Sequence, residues 1–386
     1  MLKRIALAAA AALAVAGLAP SSADASRKMM VGIFDESSTF ANPDWAFTQY
    51  RLARIKVLRV NLYWGGPAGV ARRRPANALD PADPAYAWKR YDDLVKRAAE
   101  SRIKMVFSIF ATPGWANGGK AINRAPRKML DLRNFAFAAA KRYSGTYRPP
   151  PPVGTQRKSE IVLPLPAVRH WMAWNEPNNP VFLQPQFVRR GRKYRLNSPR
   201  LYAQICNVIY AGVHMTRFAG QKVACGVTSP TGNNSGRLRR PSISPIFFLR
   251  GMKRARARFD AYAHHPYYGH RSETPNTRPK GPSAVRLGNI NDLARDLTRL
   301  YGRKRIWVTE YGYQTKPERK FAVSFAAQAR YVAIAFAKAR RHPRIDMMLW
   351  FMLRDDRRLT PGWQSGFFTL SGSPKPSWRA FRRVRK

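Results

Sequence analysis

The nonapeptide HWMAWNEPN, residues 170–178, starts as an apolar strand and ends at Glu176, which is followed at once by Pro177. Proline cannot donate to a strand ladder, so the strand stops there and leaves the carboxyl at its end. The heptapeptide IWVTEYG, residues 306–312, has the same form, with Glu310 after a short apolar run. Neither run alternates strictly between polar and apolar residues, which is typical of parallel strands covered on both faces. The two segments therefore predict buried parallel strands that each end at a glutamate.

Six further runs of the same kind occur along the chain, with helical patterns between several of them. The eight predicted strands are Met29–Phe34, Val57–Leu62, Met105–Phe110, Trp171–Trp174, Val223–Val227, Ala261–His264, Ile306–Thr309 and Met347–Phe351. One helical pattern runs from Trp88 to Ala98, and a second, Asn291–Tyr301, stops at Gly302, a residue common after helix C-termini. Eight alternating units predict an α/β fold, a (β/α)8 TIM barrel in a single domain. We expect surface-loop insertions at residues 149–160 and 229–245.

The N-terminus has the pattern of an export signal. Lys3 and Arg4 make the start of the chain basic, residues 5–19 are apolar, and Ala23-Asp24-Ala25 is the small-x-small pattern of a cleavage site. We expect a signal peptide at residues 1–25, a barrel domain at 26–386, and a secreted, extracellular protein. The alternative is an uncleaved anchor, but residues 5–19 are fewer than the roughly 20 that a spanning helix needs. No later stretch is long and apolar enough to be a transmembrane segment.

The two cysteines, Cys206 and Cys225, are too few for a disulfide scaffold or a cysteine-based zinc cluster. A bridge between them after export is one reading. Two small buried thiols on neighbouring elements is the other.

The chain is strongly basic. Lysine and arginine number 70 against 21 acidic residues, a formal net charge of +49, with dense clusters at 189–193, 237–240, 253–258 and 379–386. Such a surface attracts polyanions, so an anionic polysaccharide or a cell-wall polyanion is a candidate partner. Nucleic acid also fits the charge, but we do not expect it to be the physiological target. The alternative is a compositional bias toward arginine on solvated faces.

Glu176 and Glu310 have the chemistry that cleavage of a glycosidic bond requires. Catalytic groups of TIM barrels lie where strands end at the C-terminal face, and the fourth and seventh strands can face each other across the mouth. One carboxyl must be protonated to assist the leaving oxygen, and the other must be ionised to meet the oxocarbenium centre. Mutual repulsion raises the pKa of one member of such a pair. The alternative for each glutamate is a structural ion pair with an arginine such as Arg59.

On these residues the chain resembles glycoside hydrolase clan A, the retaining (β/α)8 barrels of the cellulase and β-xylosidase type. Clan members place an Asn-Glu acid/base after the fourth strand, like Asn175-Glu176, and a glutamate nucleophile after the seventh, like Glu310. Arg59 is similar to the clan's second-strand arginine, residues 265–267 to its sixth-strand His-x-Tyr, and Trp350 to its eighth-strand tryptophan. Residues 111–115 lack the histidine that several clan families carry after the third strand, so the sugar is not specified.

The resemblance implies a secreted glycosidase that cleaves O-glycosidic bonds by double displacement without a cofactor or a metal. It implies that Asn175 binds the sugar 2-hydroxyl, that Tyr267 hydrogen-bonds Glu310, and that Arg59 keeps Glu310 ionised. Trp350 would floor the sugar subsite, and His265 would complete the substrate site.

Other residues are interpreted from their positions. Aromatic residues after strand ends, Trp64, Trp115 and Trp363, either stack on sugars, as expected of Trp115, or pack loops. Asp35-Glu36 either touches substrate or is solvated, and Asp355-Asp356 lies among arginines, which favours a salt-bridged loop.

Two other functions remain as alternatives. A catalytically silent polyanion- or carbohydrate-binding protein on a TIM-barrel scaffold is favoured by the charge and disfavoured by the intact glutamate pair. A metal-dependent phosphodiesterase is less consistent with the sequence, because His264, His265 and His270 have no accompanying carboxylate cluster.

Overall fold

The structure is a computed structural model that describes residues 28–150, 162–281, 283–359 and 362–386. The predicted signal peptide and most of the predicted insertion at 149–160 lie outside these residues. The strands are β1 (Met30–Phe34), β2 (Val57–Tyr63), β3 (Lys104–Phe110), β4 (His170–Ala173), β5 (Phe187–Arg190), β6 (Lys193–Leu196), β7 (Lys222–Thr228), β8 (Ala261–His264), β9 (Arg305–Val308) and β10 (Ile345–Phe351). The α-helices are α1 (Glu36–Ala41), α2 (Pro43–Leu52), α3 (Lys89–Glu100), α4 (Gly114–Asn117), α5 (Met129–Arg142), α6 (Ser198–Met215), α7 (Pro245–Arg254), α8 (Ile290–Tyr301), α9 (Phe325–Arg341) and α10 (Pro376–Arg383).

Eight of the strands form a closed barrel in the order β1-β10-β9-β8-β7-β4-β3-β2. Every neighbouring pair is parallel, and the barrel closes where Met30 pairs with Met347 and Phe34 with Phe351. Because the strands are parallel, their carboxyl ends meet at one mouth, and the loops that follow them share that end. The predicted TIM barrel is confirmed.

The predicted strands agree with the observed ones except at their ends. β4 ends at Ala173 and β9 at Val308, one residue earlier than predicted in each case. Trp174 leaves the strand with a φ of +70°, and Glu176 follows with a φ of +36°. The backbone therefore turns at the end of β4, and Glu176 lies on the loop.

Two predicted helices follow their sequence patterns closely. In α3, Tyr91, Leu94, Val95 and Ala98 form the buried face. α8 ends at Tyr301, and Gly302 continues with a φ of +79°, a conformation that favours glycine.

The side chains of the barrel strands pack in two layers. Val57, Val106, Met172, Trp307 and Leu349 belong to the buried cluster inside the barrel. The residues that alternate with them pack in a larger cluster between the strands and the helices. Successive residues of a strand point to opposite faces, so the parity of a position decides which layer it enters.

The segment between β4 and α6 contains an antiparallel hairpin, β5–β6, that the sequence analysis did not predict. Farther along, Cys206 on α6 and Cys225 on β7 form a disulfide with a Cα–Cα distance of 6.1 Å. The bridge is thus favoured over two free thiols. Among the helices of the described residues, none is long and apolar enough to cross a membrane.

Candidate active site

Glu176 and Glu310 lie at the mouth of the barrel, on the loops that follow β4 and β9. Glu176 is 9% exposed and Glu310 is 7% exposed, and both line a cleft of about 850 Å³. One carboxylate oxygen of Glu176 lies within 4.8 Å of one of Glu310. The two glutamates predicted from the strand ends therefore meet across the mouth.

Arg59, on β2, connects the two strand ends from below. Its Nη1 donates to Glu310 Oε1 at 2.7 Å, and its Nη2 donates to Asn175 Oδ1 at 2.7 Å. The guanidinium is fully buried and lies over the Phe34 ring, 4.1 Å from its centroid. Arg59 does not line the cleft, so its expected place among the substrate-binding residues is corrected. It contacts Glu310 and Asn175, which line the cleft, because β2 delivers it beneath the mouth.

His265, directly after β8, lies between the two carboxyls. Its Nδ1 is 3.0 Å from Glu176 Oε1 and 3.4 Å from Glu310 Oε1, and its Nε2 is 3.2 Å from Arg59 Nη1. Burial lowers the pKa of His265 to about 3, with Arg59 acting in the same direction and Glu310 against it. The ring is therefore neutral at ordinary pH. Because arginine only donates, we assign Nε2 as the acceptor and Nδ1–H as the donor to Glu176.

The expected substrate contact of His265 is also corrected, since the ring is fully buried and does not line the cleft. Sequence resemblance identified the residue but not its depth. Its observed partners make it a residue that positions Glu176.

Asn175 and Tyr267 do face the cleft. The Tyr267 hydroxyl donates to Glu310 Oε2 at 3.0 Å, the contact that the resemblance implied. Burial, followed by the negative charges of Glu310 and Glu176, raises the pKa of Tyr267 well above its ordinary value, so the phenol stays a donor. Asn175 Oδ1 is occupied by Arg59, which leaves its amide nitrogen for a ligand.

The two carboxyls have different surroundings. Glu310 receives Arg59 on one oxygen and Tyr267 on the other. Glu176 receives His265 on Oε1 and the Asn179 amide on Oε2, at 3.2 Å. Burial raises the pKa of Glu176 to about 7, against smaller opposing effects of Asn179 and Arg59. Glu176 can therefore hold a proton near neutral pH.

Trp350 does not reach the cleft, so its expected role as the floor of a sugar subsite is wrong. It is fully buried in the outer layer, where its Nε1 donates to Ser365 O at 2.8 Å and its ring stacks on Phe367. Leu349 points into the barrel, and Trp350, its neighbour in β10, must point outward. The aromatic rings that line the mouth on this side are Phe351 and Trp363.

Trp115 also lies away from the cleft and does not take the expected substrate-binding position. Its ring meets Trp64 edge to face with centroids 5.6 Å apart, and the Arg74 guanidinium lies 4.4 Å from its ring centroid. Its Nε1 donates to Ala71 O at 2.8 Å. Of the two roles predicted for these tryptophans, stacking on sugars or packing loops, Trp115 and Trp64 pack loops. Trp363 lines the cleft.

The acidic residues after β1 are structural partners of the cleft wall. Glu36 lines the cleft and accepts from the Asn61 backbone N–H at 2.7 Å and the Tyr63 hydroxyl at 3.0 Å. Asp35 caps α1 by accepting from Ser38 N at 2.8 Å. After β10, Asp355 pairs with buried Lys375 at 2.7 Å. That loop is salt-bridged as predicted, since Arg358 also pairs with Asp356 at 3.8 Å.

One group in the described residues brings three metal-ligating side chains together: Glu176, His265 and Glu310. The Arg59 guanidinium on Glu310 supplies the positive charge that a cation would bring. His264 and His270 do not join the group, because His264 bonds Thr228 and His270 bonds Ser272. The arrangement fits a hydrogen-bonded carboxyl pair better than a metal centre.

Solved structures with the same fold include three glycosidases. A family 39 glycoside hydrolase from Bacteroides cellulosilyticus WH2 matches with a TM-score of 0.62 at 20% identity, over 94% of this chain and 64% of that one. A glucosidase from Croceicoccus marinus gives 0.63 at 16% identity, over 93% and 67%. Xylanase 10B from Thermotoga maritima gives 0.55 at 12% identity, over 94% and 96%. The resemblance to clan A barrels is thus confirmed for the fold.

No protein-family model matches the chain, and no curated protein matches it. The chain spans 64% of the length of the family 39 structure. Identities of 12% to 20% carry the fold and not the activity. The function is therefore argued from the site.

Proposed function

We propose that this protein is an exported glycosidase that hydrolyses O-glycosidic bonds with retention of configuration, with Glu310 as nucleophile and Glu176 as acid/base. The observation that carries the proposal is the buried carboxyl pair, with an oxygen of each glutamate within 4.8 Å of the other's. Retaining enzymes hold their carboxyl groups roughly 5–5.5 Å apart, whereas inverting enzymes separate them by roughly 6.5–9.5 Å to admit a water. The close approach supports retention.

The reaction proceeds in two displacements. In the first, a Glu310 carboxylate oxygen bonds to the anomeric carbon while the glycosidic C–O bond breaks, and the leaving oxygen takes its electron pair and the proton of Glu176. In the second, Glu176 takes a proton from water, and the water oxygen bonds to the anomeric carbon as the bond to Glu310 breaks. The sugar leaves with its original configuration and Glu176 is protonated again.

The surroundings of the carboxyls support this division of roles. Arg59 and Tyr267 donate to the two oxygens of Glu310, which fixes the carboxylate in place for attack as a nucleophile. Glu176 has a pKa of about 7 through burial, and a proton donor works best when its pKa is near the operating pH. His265 Nδ1 orients Glu176 toward the shared sugar position.

The form of the cleft supports a carbohydrate chain as substrate. Its volume of about 850 Å³ and its opening at the barrel mouth suit several sugar units. Trp363 and Phe351 present rings at the mouth, and aromatic faces pack on the apolar faces of sugars. The amide nitrogen of Asn175, a residue that lines the cleft, is left by Arg59 to donate to a sugar hydroxyl. The solved glycosidases of the same fold also favour this class of substrate.

The rival function is a silent binding protein on the same scaffold, which the net charge of +49 favours. It leaves the buried carboxyl pair unexplained, because keeping two glutamates this close without a catalytic use costs stability. The pair therefore favours the enzyme.

The deciding experiment is a hydrolysis screen on nitrophenyl glycosides and on polysaccharides. The unmodified protein is compared with Glu176→Gln, Glu310→Gln and the control Glu273→Gln, whose carboxylate pairs with Arg286 away from the cleft. We expect turnover with retention, a loss of at least about a thousandfold in both site variants, and little change in the control. Sugar binding without any turnover would overturn the enzyme in favour of the binding protein. Sequencing the N-terminus of exported protein tests cleavage after residue 25.

A further inference from the structure

A strongly basic surface lies beside the cleft, on the loops that follow β4 and β7. We call it the basic platform. It consists of exposed cations of the β5–β6 hairpin and of the loop before α7: Arg190, Arg192, Lys193, Arg195, Arg237 and Arg239. Both elements follow carboxyl ends of barrel strands, so the platform is on the same side of the barrel as the two glutamates.

The hairpin directs three of these cations toward solvent. Arg190 pairs with Lys193, and Val188 pairs with Arg195. Because strand residues alternate in direction, Arg190, Lys193 and Arg195 share one face. On the opposite face Phe187 and Leu196 pack against the core. The hairpin is thus fixed by its apolar face and presents its cations outward.

The loop that carries Arg237 and Arg239 is held by its own side chains. Asn233 Oδ1 accepts from Ser242 N at 3.1 Å, and Asn233 Nδ2 donates to Arg240 O at 2.9 Å. The loop also packs on the hairpin, since a Cβ at Gly236 would lie 2.7 Å from the Tyr194 ring. Tyr194 lies on the hairpin face that also carries Phe187 and Leu196, so the loop borders the hairpin on that face.

Within the described part of the chain, the platform cations have no acidic partner. The sequence contains no aspartate or glutamate between Glu176 and Asp260. Elsewhere arginines pair with nearby aspartates, as Arg278 does with Asp292. In residues 28–150, 162–281, 283–359 and 362–386, no ion pair involves the six platform cations. Their charge remains available to an external anion.

Arg240 connects the platform with the cleft. It lines the cleft together with Glu176, and it lines an adjoining groove together with Arg239 and Phe187. A glycan that extends from the carboxyl pair on this side passes Arg240 and reaches the hairpin.

We propose that the substrate is a polysaccharide with anionic groups on successive sugars, and that its chain runs from the cleft across the basic platform. The proposal rests on the proposed glycosidase function for the reaction at the carboxyl pair. The platform itself supplies affinity and direction for the chain, since spaced arginines suit carboxylate and sulfate groups.

The test compares two variants of equal charge change in the full-length protein. Arg190→Gln/Lys193→Gln/Arg195→Gln removes three platform cations, and Arg379→Gln/Arg382→Gln/Arg383→Gln removes three exposed cations of α10. Binding is measured with an alginate octasaccharide, a heparin octasaccharide, a neutral xylan octasaccharide and single-stranded DNA of equal charge, between low and high salt.

We expect the platform variant to bind at least one of the two anionic glycans about tenfold more weakly at low salt, with a shallower salt dependence. The anionic glycan that the unmodified protein binds more tightly identifies the recognised anion, carboxylate for alginate or sulfate for heparin. The α10 variant should change by less than about twofold, and neither variant should alter xylan binding. An equal loss in both variants, or DNA bound through the platform more tightly than either glycan, would overturn the proposal.

Turnover of a nitrophenyl glycoside separates this inference from the proposed function and reports folding of both variants. If the unmodified protein hydrolyses glycosides while the platform variant binds anionic glycans normally, only the platform proposal fails. If the unmodified protein hydrolyses no glycoside, the proposed glycosidase function is wrong, and the polysaccharide is no longer assigned as its substrate.

Discussion

The Tyr267 hydroxyl donates a hydrogen bond to Glu310 Oε2 at 3.0 Å, while the other oxygen of that carboxylate is held by a buried guanidinium. The contact fixes the carboxylate plane at the cleft. In the proposed reaction the charge on Glu310 changes, and the strength of this hydrogen bond should change with it, so kinetics can measure its contribution.

Removing this hydroxyl should slow the reaction without unfolding the protein. A hydrogen bond to a charged group contributes about 1.5–3 kcal/mol, so Tyr267→Phe should lower kcat/KM roughly 10- to 100-fold. The control is Tyr311→Phe, whose buried hydroxyl has Tyr313 as its partner, at 3.5 Å. Steady-state kinetics on a nitrophenyl glycoside give both values. Equal effects in the two variants would argue that the contact has no part in catalysis.

The two glutamates should respond differently to the leaving group. Glu310→Ala should abolish turnover on every substrate, because no covalent intermediate can form. Glu176→Ala should retain the first step on dinitrophenyl glycosides, because an acidic leaving group needs little proton assistance. Stopped-flow measurement of the dinitrophenolate burst resolves that step. Equal loss of the burst in both variants would contradict the assignment of Glu310 as nucleophile and Glu176 as acid/base.

The pKa of about 7 at Glu176 predicts the alkaline limb of the rate profile. The first step needs Glu176 protonated, so kcat/KM should fall as the pH rises through about 7 in the free enzyme. Profiles from pH 4 to pH 10 on a glycoside with a poor leaving group test this. With a dinitrophenyl leaving group the limb should flatten. A limb of unchanged shape for both leaving groups would assign it to another residue.

The Cys206–Cys225 disulfide should contribute measurably to stability. The bridge joins residues 19 apart in sequence, and closing a loop of that size constrains the unfolded chain by about 3 kcal/mol. Cys206→Ala/Cys225→Ala should lower the free energy of urea unfolding by about that amount. A reductant should lower it in the unmodified protein and leave the variant unchanged. A loss below about 1 kcal/mol in the free energy of unfolding would contradict the argument that the bridge acts by constraining the unfolded chain.

The barrel was predictable from the sequence because parallel strands covered on both faces form nearly continuous apolar runs. The two glutamates were predictable because each stands at the end of such a run. The β5–β6 hairpin was not predicted, since its strands are rich in arginine and their apolar anchors, Phe187 and Leu196, stand at its two outer ends. Only packing against the core distinguishes that segment from a charged loop.

The site residues were predicted in identity more often than in depth. Trp350 was misplaced because its neighbours in β10 are apolar on both sides, so composition does not reveal which face enters the barrel. Residues Arg59 and His265 lie below the carboxyls, because β2 and β8 deliver them from beneath the mouth. Counting parity from Leu349 gives the direction of Trp350 once one inward residue is known.

Because the interior of the barrel is filled by side chains, it determines how molecules enter and leave the site. Met172, Trp307 and Leu349 pack beneath the carboxyl pair, so the mouth serves as both entrance and exit. If the proposed reaction holds, the leaving alcohol must vacate the same space that the incoming water then occupies. An alcohol that stays bound there would compete with water for the covalent intermediate. The sugar would then be transferred to that alcohol instead of being hydrolysed.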